Sequence, residues 1–351
     1  MSEIYCKAPW VSVSYMPNGE FTPCCAWGGP TFGTREQMTE IVGGAFLRGE
    51  VPAACNNPCK PNQPGWRDEF KNYPTDYQTH QIHFLDFRNN NLCNLKCRSC
   101  GPGFSTSWAS EIGTVNINLH QAENIAAMDL SHCKKIYFAG GEPLLNPQHY
   151  EILEKLIELG NDPILMYSTN MTVLGAKNKS VKNLWPHFST VNVNASIDAV
   201  GEFAEFVRSG STWSVIEENL AWMRTQANVN LKIGPVISAI NIWWFHKLLE
   251  YFDWVDKRDF EPVLANIGST LGITVIPKLY RGPFIDLLSS SKYAGHINMT
   301  TAVTALRTLD HSDQWHKFLS QQLILDNYRS ESWFNHLPIK HDVYKKISIF
   351  G

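Results

Sequence analysis

The segment Leu92-Cys93-Asn94-Leu95-Lys96-Cys97-Arg98-Ser99-Cys100 spaces three cysteines as Cys-x3-Cys-x2-Cys, directly after a β-branched and aromatic run, Gln81 to Phe87, that reads as a strand. Three thiolates on one short loop fit three corners of an iron-sulfur cube. Such a cube takes four cysteines as a rule, so a trio with no fourth nearby leaves one iron open to another ligand. A zinc site completed by a distant ligand is the alternative reading of the same spacing.

Downstream, short runs of the same kind alternate with helical periodicity. Lys135 to Ala139, Pro163 to Ser168, Thr190 to Ser196, Asn230 to Val236 and Gly272 to Pro277 bring the candidate strands to six. Between them, Tyr150 to Leu159, Trp213 to Arg224 and Ile242 to Trp254 carry apolar residues at three-and-four spacing. Strand-helix alternation implies parallel strands joined by right-handed crossovers. The expected fold class is α/β, a partial six-unit barrel of the TIM type, whose working face lies at the carboxyl ends of the strands. Residues 1–78 form a small loop-rich cysteine module with one helical stretch near Arg35 to Arg48 and little core of its own. Residues 79–280 form the barrel. Residues 281–351 form a helical extension, with helices expected over His311 to Leu325 and Ile339 to Ile347.

Motifs that follow strands are the ones to weigh. The second strand ends in Gly140-Gly141-Glu142-Pro143-Leu144, where two glycines let backbone approach a ligand and Glu142 offers a carboxylate to an amino group. The third ends in Ser168-Thr169-Asn170, and the fourth in Ala195-Ser196-Ile197-Asp198, followed by Phe206-Val207-Arg208. Each polar residue here is also a candidate cap or turn former, Asp198 before a helix above all.

Composition narrows the field. Thirty Lys and Arg against 33 Asp and Glu leave a charge of −3 with no basic run, which argues against general nucleic-acid binding. No stretch approaches a membrane span, and Met1 to Trp10 lacks the pattern of a secretion signal, so a cytoplasmic location is expected. Eight of the nine cysteines fall in the first 100 residues, and close spacing in a reduced compartment points to metal ligation before disulfides. Cys133, the ninth, reads as a buried small hydrophobe. The aromatic run Trp243-Trp244-Phe245 reads as core, and no histidine pair has the spacing of a hydrolytic zinc site.

The Cys-x3-Cys-x2-Cys triplet after one strand and Gly-Gly-Glu-Pro after the next resemble the radical S-adenosylmethionine (SAM) superfamily. The resemblance implies a [4Fe-4S] cluster on Cys93, Cys97 and Cys100, whose open iron chelates SAM, and Gly140, Gly141, Glu142 and Pro143 around the SAM amino group. Ser196 and Asp198 look like the family's ribose contacts, Asn170 fits the same ligand, and Arg208 looks like the arginine that pairs with the methionine carboxylate. Ser99 departs from the aromatic residue usual beside the last cysteine. The chemistry implied is reductive cleavage of SAM to a 5′-deoxyadenosyl radical that takes a hydrogen atom from substrate, with a reductant such as a flavodoxin or ferredoxin as partner.

The amino-terminal module, Cys6-x12-Gly19-x4-Cys24 with Cys55 and Cys59, resembles the SPASM and twitch modules that hold auxiliary clusters, although those usually follow the barrel. A second [4Fe-4S] cluster on Cys6, Cys24, Cys55 and Cys59 is the expectation; Cys25 is the alternative to Cys24, and structural zinc the alternative metal. Relatives with such modules often modify ribosomal peptides, so a peptide or protein side chain is the expected substrate. A small sugar or nucleotide derivative is the runner-up, and a non-catalytic iron-sulfur or zinc protein is the rival from another class.

Overall fold

The computed structural model describes residues 5–16, 18–55, 59, 65–114 and 127–336, the side chain of residue 334 apart; the helix expected over Ile339 to Ile347 lies outside them. In chain order the strands are β1 (Ser12–Tyr15), β2 (Phe21–Thr22), β3 (Phe84–Phe87), β4 (Lys96–Cys97), β5 (Lys135–Phe138), β6 (Ile164–Thr169), β7 (Gly175–Ala176), β8 (Lys179–Ser180), β9 (Val191–Ala195), β10 (Arg208–Ser209), β11 (Val229–Ile233), β12 (Val236–Ile237) and β13 (Val263–Leu264). The chain divides into two compact units. The first is Met1–Asn94, Pro102–Asn194 and Asn219–Asn230; the second is Leu95–Gly101, Ala195–Glu218 and Leu231–Gly351.

The first unit is organised by a seven-stranded sheet of order β11-β9-β6-β5-β3-β1-β2. β1 with β3, β3 with β5 and β5 with β6 run parallel, and β2 closes the edge antiparallel to β1. Five of the six expected strands are present as β3, β5, β6, β9 and β11. The sheet extends past β3 through β1 and β2, which come from the cysteine-rich amino terminus. That segment is therefore not a coreless appendage: Trp10, Val11, Val13 and Tyr15 are all buried. Lateral register places Ser14, Asp86, Tyr137 and Met166 side by side across β1, β3, β5 and β6.

One long helix, Pro147–Glu158, shows how local sequence sets an element. Asn146 accepts from the Gln148 backbone N–H at 3.1 Å, Pro147 fills the first turn, and His149, Tyr150, Ile152, Leu153 and Leu156 form the buried stripe. That stripe meets the aromatic layer of the sheet, with the Phe138 ring 4.7 Å from His149 and 5.0 Å from Tyr167.

In the second unit β4 pairs antiparallel with β10 and β12 pairs parallel with β13. Helices Gly282–Ser290, Ile297–Thr308 and Trp315–Arg329 form its carboxyl-terminal part. The first two were not anticipated. The sixth expected strand is absent: Ile273–Val275 is a buried 3-10 turn. Its carbonyls serve a different partner, because buried Arg281 donates to Thr274 O at 2.6 Å, Ile276 O at 2.7 Å, and onward to Leu306 O and Leu309 O. Pro277 also lacks the N–H a ladder needs. In the aromatic run, Trp243, Phe245 and Phe252 are buried as core, while Tyr251 and Trp254 are exposed. Among the described residues, no helix is long and apolar enough to cross a membrane.

Burial pushes His149 down to about 3, its ring bonded to the Tyr167 hydroxyl at 2.9 Å. A folded-state value below the unfolded one means the contribution is complete above pH 6.5 and is lost as pH falls, at about 1.4 kcal/mol per pH unit. Thermal melts between pH 7 and 5 should therefore show a steeper loss of stability in the wild type than in His149→Phe. Equal slopes would refute this assignment.

Candidate active site

In the first unit the Gly-Gly turn after β5 lies on the loop that leads into Cys93. A Cβ on Gly141 would sit 2.3 Å from Leu92 O and one on Gly140 2.8 Å from Asn90 O, and Gly140 has φ +113°. The Gly141 N–H donates to Asn90 O at 3.3 Å and the Glu142 N–H to Leu92 O at 2.7 Å. Only bare backbone permits this approach.

The Glu142 side chain, expected to meet an amino group, is engaged inside the fold. The residue is 1% exposed, and its carboxylate accepts from Leu144 N at 3.1 Å, Thr169 Oγ1 at 2.9 Å and Asn170 N at 2.7 Å. A carboxylate so surrounded fastens the turn to the end of β6. Pro143 opens the 3-10 turn that Glu142 caps. Asn170 continues the chain of contacts, its amide donating to Asn94 Oδ1 at 3.1 Å and lying 3.9 Å from Cys93 Sγ. The Cys93 carbonyl accepts from Ser107 Oγ at 2.8 Å and Thr106 Oγ1 at 3.1 Å. Asn170 is thus placed beside Cys93, the first cysteine of the triplet.

In the second unit, β4 carries Cys97 and pairs it with Arg208 of β10, while the Cys100 N–H donates to Cys97 O at 3.0 Å. Desolvation raises the Cys100 thiol, and the Arg208 charge acts against it. Arg208 also binds Asp198, Nε and Nη2 each 2.9 Å from Oδ2, and the other oxygen of Asp198 accepts from Val236 N at 2.8 Å. Asp198 therefore orients Arg208 and holds the start of β12, and the cap position of the next helix belongs to Gly201. Ser196, just past β9, is half-buried.

The amino-terminal cysteines separate into two environments within the first unit. Cys6, Cys24, Cys55 and Cys59 line one small cavity together with Tyr5 and Arg67. Burial pushes the Cys6 thiol up to about 12 and Cys55 to about 11, and Cys24 higher still, with mutual repulsion of the thiolates adding to it. Such thiols stay protonated until a cation displaces the protons, and an all-sulfur donor set suits iron-sulfur and zinc alike. Cys25 does not line this cavity. Burial raises its thiol to about 12, and it is hydrogen-bonded to Asp86, whose carboxyl is itself raised by burial although Arg88 forks onto it at 2.8 and 2.7 Å. Among the described residues, no three His, Cys, Asp or Glu side chains form a group ready to hold a metal ion. Cys133 is fully buried, as a structural thiol would be.

The Asp86, Arg88 and Tyr137 group went unnoticed in the sequence, although a charged residue inside Phe84-Leu85-Asp86-Phe87 is a legible signal. Arg88 lies over the Tyr137 ring at 5.5 Å, and the Tyr137 hydroxyl bonds Ser168 Oγ at 2.8 Å. These side chains sit at the carboxyl ends of β3, β5 and β6.

With this geometry in place, known proteins can be set beside it. Residues 90–252 match the family model described as the Radical SAM superfamily. The GTP 3′,8-cyclase of Pelotomaculum thermopropionicum is 26% identical over 166 residues, which are 46% of this chain and 47% of that protein. The chain thus spans about half the length of this relative. Among solved structures, native anSMEcpe with bound AdoMet is 22% identical over 52% of this chain and 51% of that one, with TM-score 0.38. Streptococcus suis SuiB bound to precursor peptide SuiA is 11% identical over 67% and 54%, with TM-score 0.37.

Gly141→Ala should displace the 90–92 loop and lower iron retention under chelator challenge by about 10-fold, a size typical for residues that orient metal ligands. Gly103→Ala, whose Cβ meets nothing within 4 Å, is the control. The measurement is bound iron after anaerobic reconstitution, with circular dichroism to confirm the fold; equal retention in both variants would count against the steric argument.

Proposed function

We propose that this protein, which carries a radical SAM domain over residues 90–252, is an enzyme that cleaves S-adenosylmethionine reductively and removes a hydrogen atom from a peptide or protein side chain. The observation that carries the reading is the contact of the Gly140-Gly141 backbone with the 90–92 loop, too close for any side chain, which aligns the turn with the loop that leads into the cysteine triplet. A bound [4Fe-4S] cluster would supply one electron to SAM and, through it, a 5′-deoxyadenosyl radical.

The chain's own residues would do the rest. Cys93, Cys97 and Cys100 hold three irons, and backbone carbonyls of Gly140 to Glu142 receive the SAM amino group. Arg208, already oriented by Asp198, offers its charge to the carboxylate, with Ser196 on the ribose side. Cys6, Cys24, Cys55 and Cys59 hold a second cluster, a reading supported by their common cavity. Cys25, bonded to Asp86, is left out of that set. The reductant is a small electron carrier of the flavodoxin or ferredoxin type. The peptide reading rests on the likeness of the amino-terminal cysteines to SPASM and twitch modules. One observation favours a nucleotide instead: the similarity to a GTP 3′,8-cyclase.

Anaerobically reconstituted protein should carry about eight irons per chain and form 5′-deoxyadenosine only with dithionite and SAM. Cys97→Ala should abolish that product. Cys55→Ser should lower the iron count while sparing SAM cleavage, and Cys25→Ser should leave the count unchanged. About two zincs per chain with intact SAM would sink the proposal. Deuterium transfer into 5′-deoxyadenosine from labelled peptide or labelled GTP decides between the substrates.

A further inference from the structure

Arg98 stands between two cysteines of the triplet, a place where cluster binding itself asks for no charge. In the second unit its side chain is 0% exposed, and its Nη2 lies 2.5 Å from Asp326 and 2.7 Å from Glu331. Its Nη1 donates to Gln322 Oε1 at 3.2 Å. The guanidinium rests on the Phe206 ring, 3.9 Å from the centroid, and the Arg98 N–H donates to Val207 O at 2.9 Å. Gln322 and Asp326 belong to helix Trp315–Arg329, which ends at Ser330 in the left-handed conformation, and Glu331 follows. Asp326 is fixed in turn, its second oxygen accepting from Trp333 N at 2.8 Å. Phe206 and Val207 immediately precede Arg208, the β10 partner of Cys97.

We infer that Arg98 is a positioning residue: its guanidinium, held by Asp326 and Glu331 and stacked on Phe206, clamps the Cys97 to Cys100 loop and sets the charge around whatever metal that loop holds. A buried arginine cannot lose its proton, so it must be paired where it lies. Two carboxylates on one guanidinium, Asp326 buried and Glu331 partly exposed, give the group that holds this loop one more negative than positive charge. Both the loop's conformation and its field then depend on residues more than 220 positions away in sequence.

The inference rests on the functional reading for the identity of the metal group, and the test separates the two. Wild-type, R98Q, R98K and E331Q full-length proteins are reconstituted with iron and sulfide, each also in a Cys55→Ser background that removes the proposed amino-terminal site. Iron loss to EDTA should be about 10- to 100-fold faster in R98Q, as expected when a residue that orients metal ligands is removed. R98K, which keeps the charge without the fork, should recover this only in part. The midpoint potential should fall in R98Q, where positive charge is lost, and rise in E331Q, where negative charge is lost. A purely structural role would move both the same way.

Iron retention and potential like the wild type in R98Q would overturn the inference while leaving the function standing. Should R98Q fail to fold, E331Q and D326N carry the same prediction of a raised potential, and an unchanged potential in both would overturn it. Wild-type protein that holds metal on the triplet yet shows no spectral response to SAM would refute the functional reading; the chelator rates would still decide the role of Arg98.

Discussion

The carboxylate of Glu142 organises the turn after β5 and the loop leading into Cys93, both in the first unit. A buried carboxylate has to be met by donors, and here the donors are the backbone of its own turn and the residues that end β6. That requirement fixes the Gly-Gly turn against β6, and Asn170 passes the restraint to Asn94 and the Cys93 side chain. The glycines allow the approach; the carboxylate holds it. The Glu142 carboxylate is thereby a structural hub of this turn.

Buried arginine-carboxylate pairs recur near strand ends: Arg88 with Asp86 after β3, Arg208 with Asp198 at β10, and Arg98 with Asp326 and Glu331 beside β4. Pairs of this kind add little net stability over apolar packing, because desolvation offsets the Coulomb attraction. What they provide is direction. A forked guanidinium bound at both nitrogens has one orientation, so loops that lack regular hydrogen-bond ladders are held in place by it.

Much of this was legible in the sequence. Strands β3, β5, β6, β9 and β11 follow from short β-branched runs that alternate with amphipathic helices, and Cys6, Cys24, Cys55 and Cys59, grouped by their spacing, line one cavity. The failures share a cause, which is that side chains distant in sequence decide them. Ile273–Val275 has the composition of a strand, but Arg281 occupies its carbonyls. β1 was missed because Ser12-Val13-Ser14-Tyr15 is short and lies among prolines and cysteines, and only the open edge of β3 makes it a strand. The pairing of Asp198 with Arg208 was likewise not visible in the sequence, because it joins residues of two different segments. Arg98 carried no signal at all, since its partners lie in the helix Trp315–Arg329 and just beyond it.

The pairing of β1 with β3 also bears on how such a chain acquires its shape and its history. β1 finds β2 within a few residues but meets β3 only about seventy residues later in sequence, so that side of β1 stays open until the later stretch has been made. Without β1 and β2, the four residues of β3 would be an unguarded border, an invitation to intermolecular strand addition. The cysteine-bearing segment is in that sense sewn into the sheet as a hem, and a chain without those thiols would still need its strand.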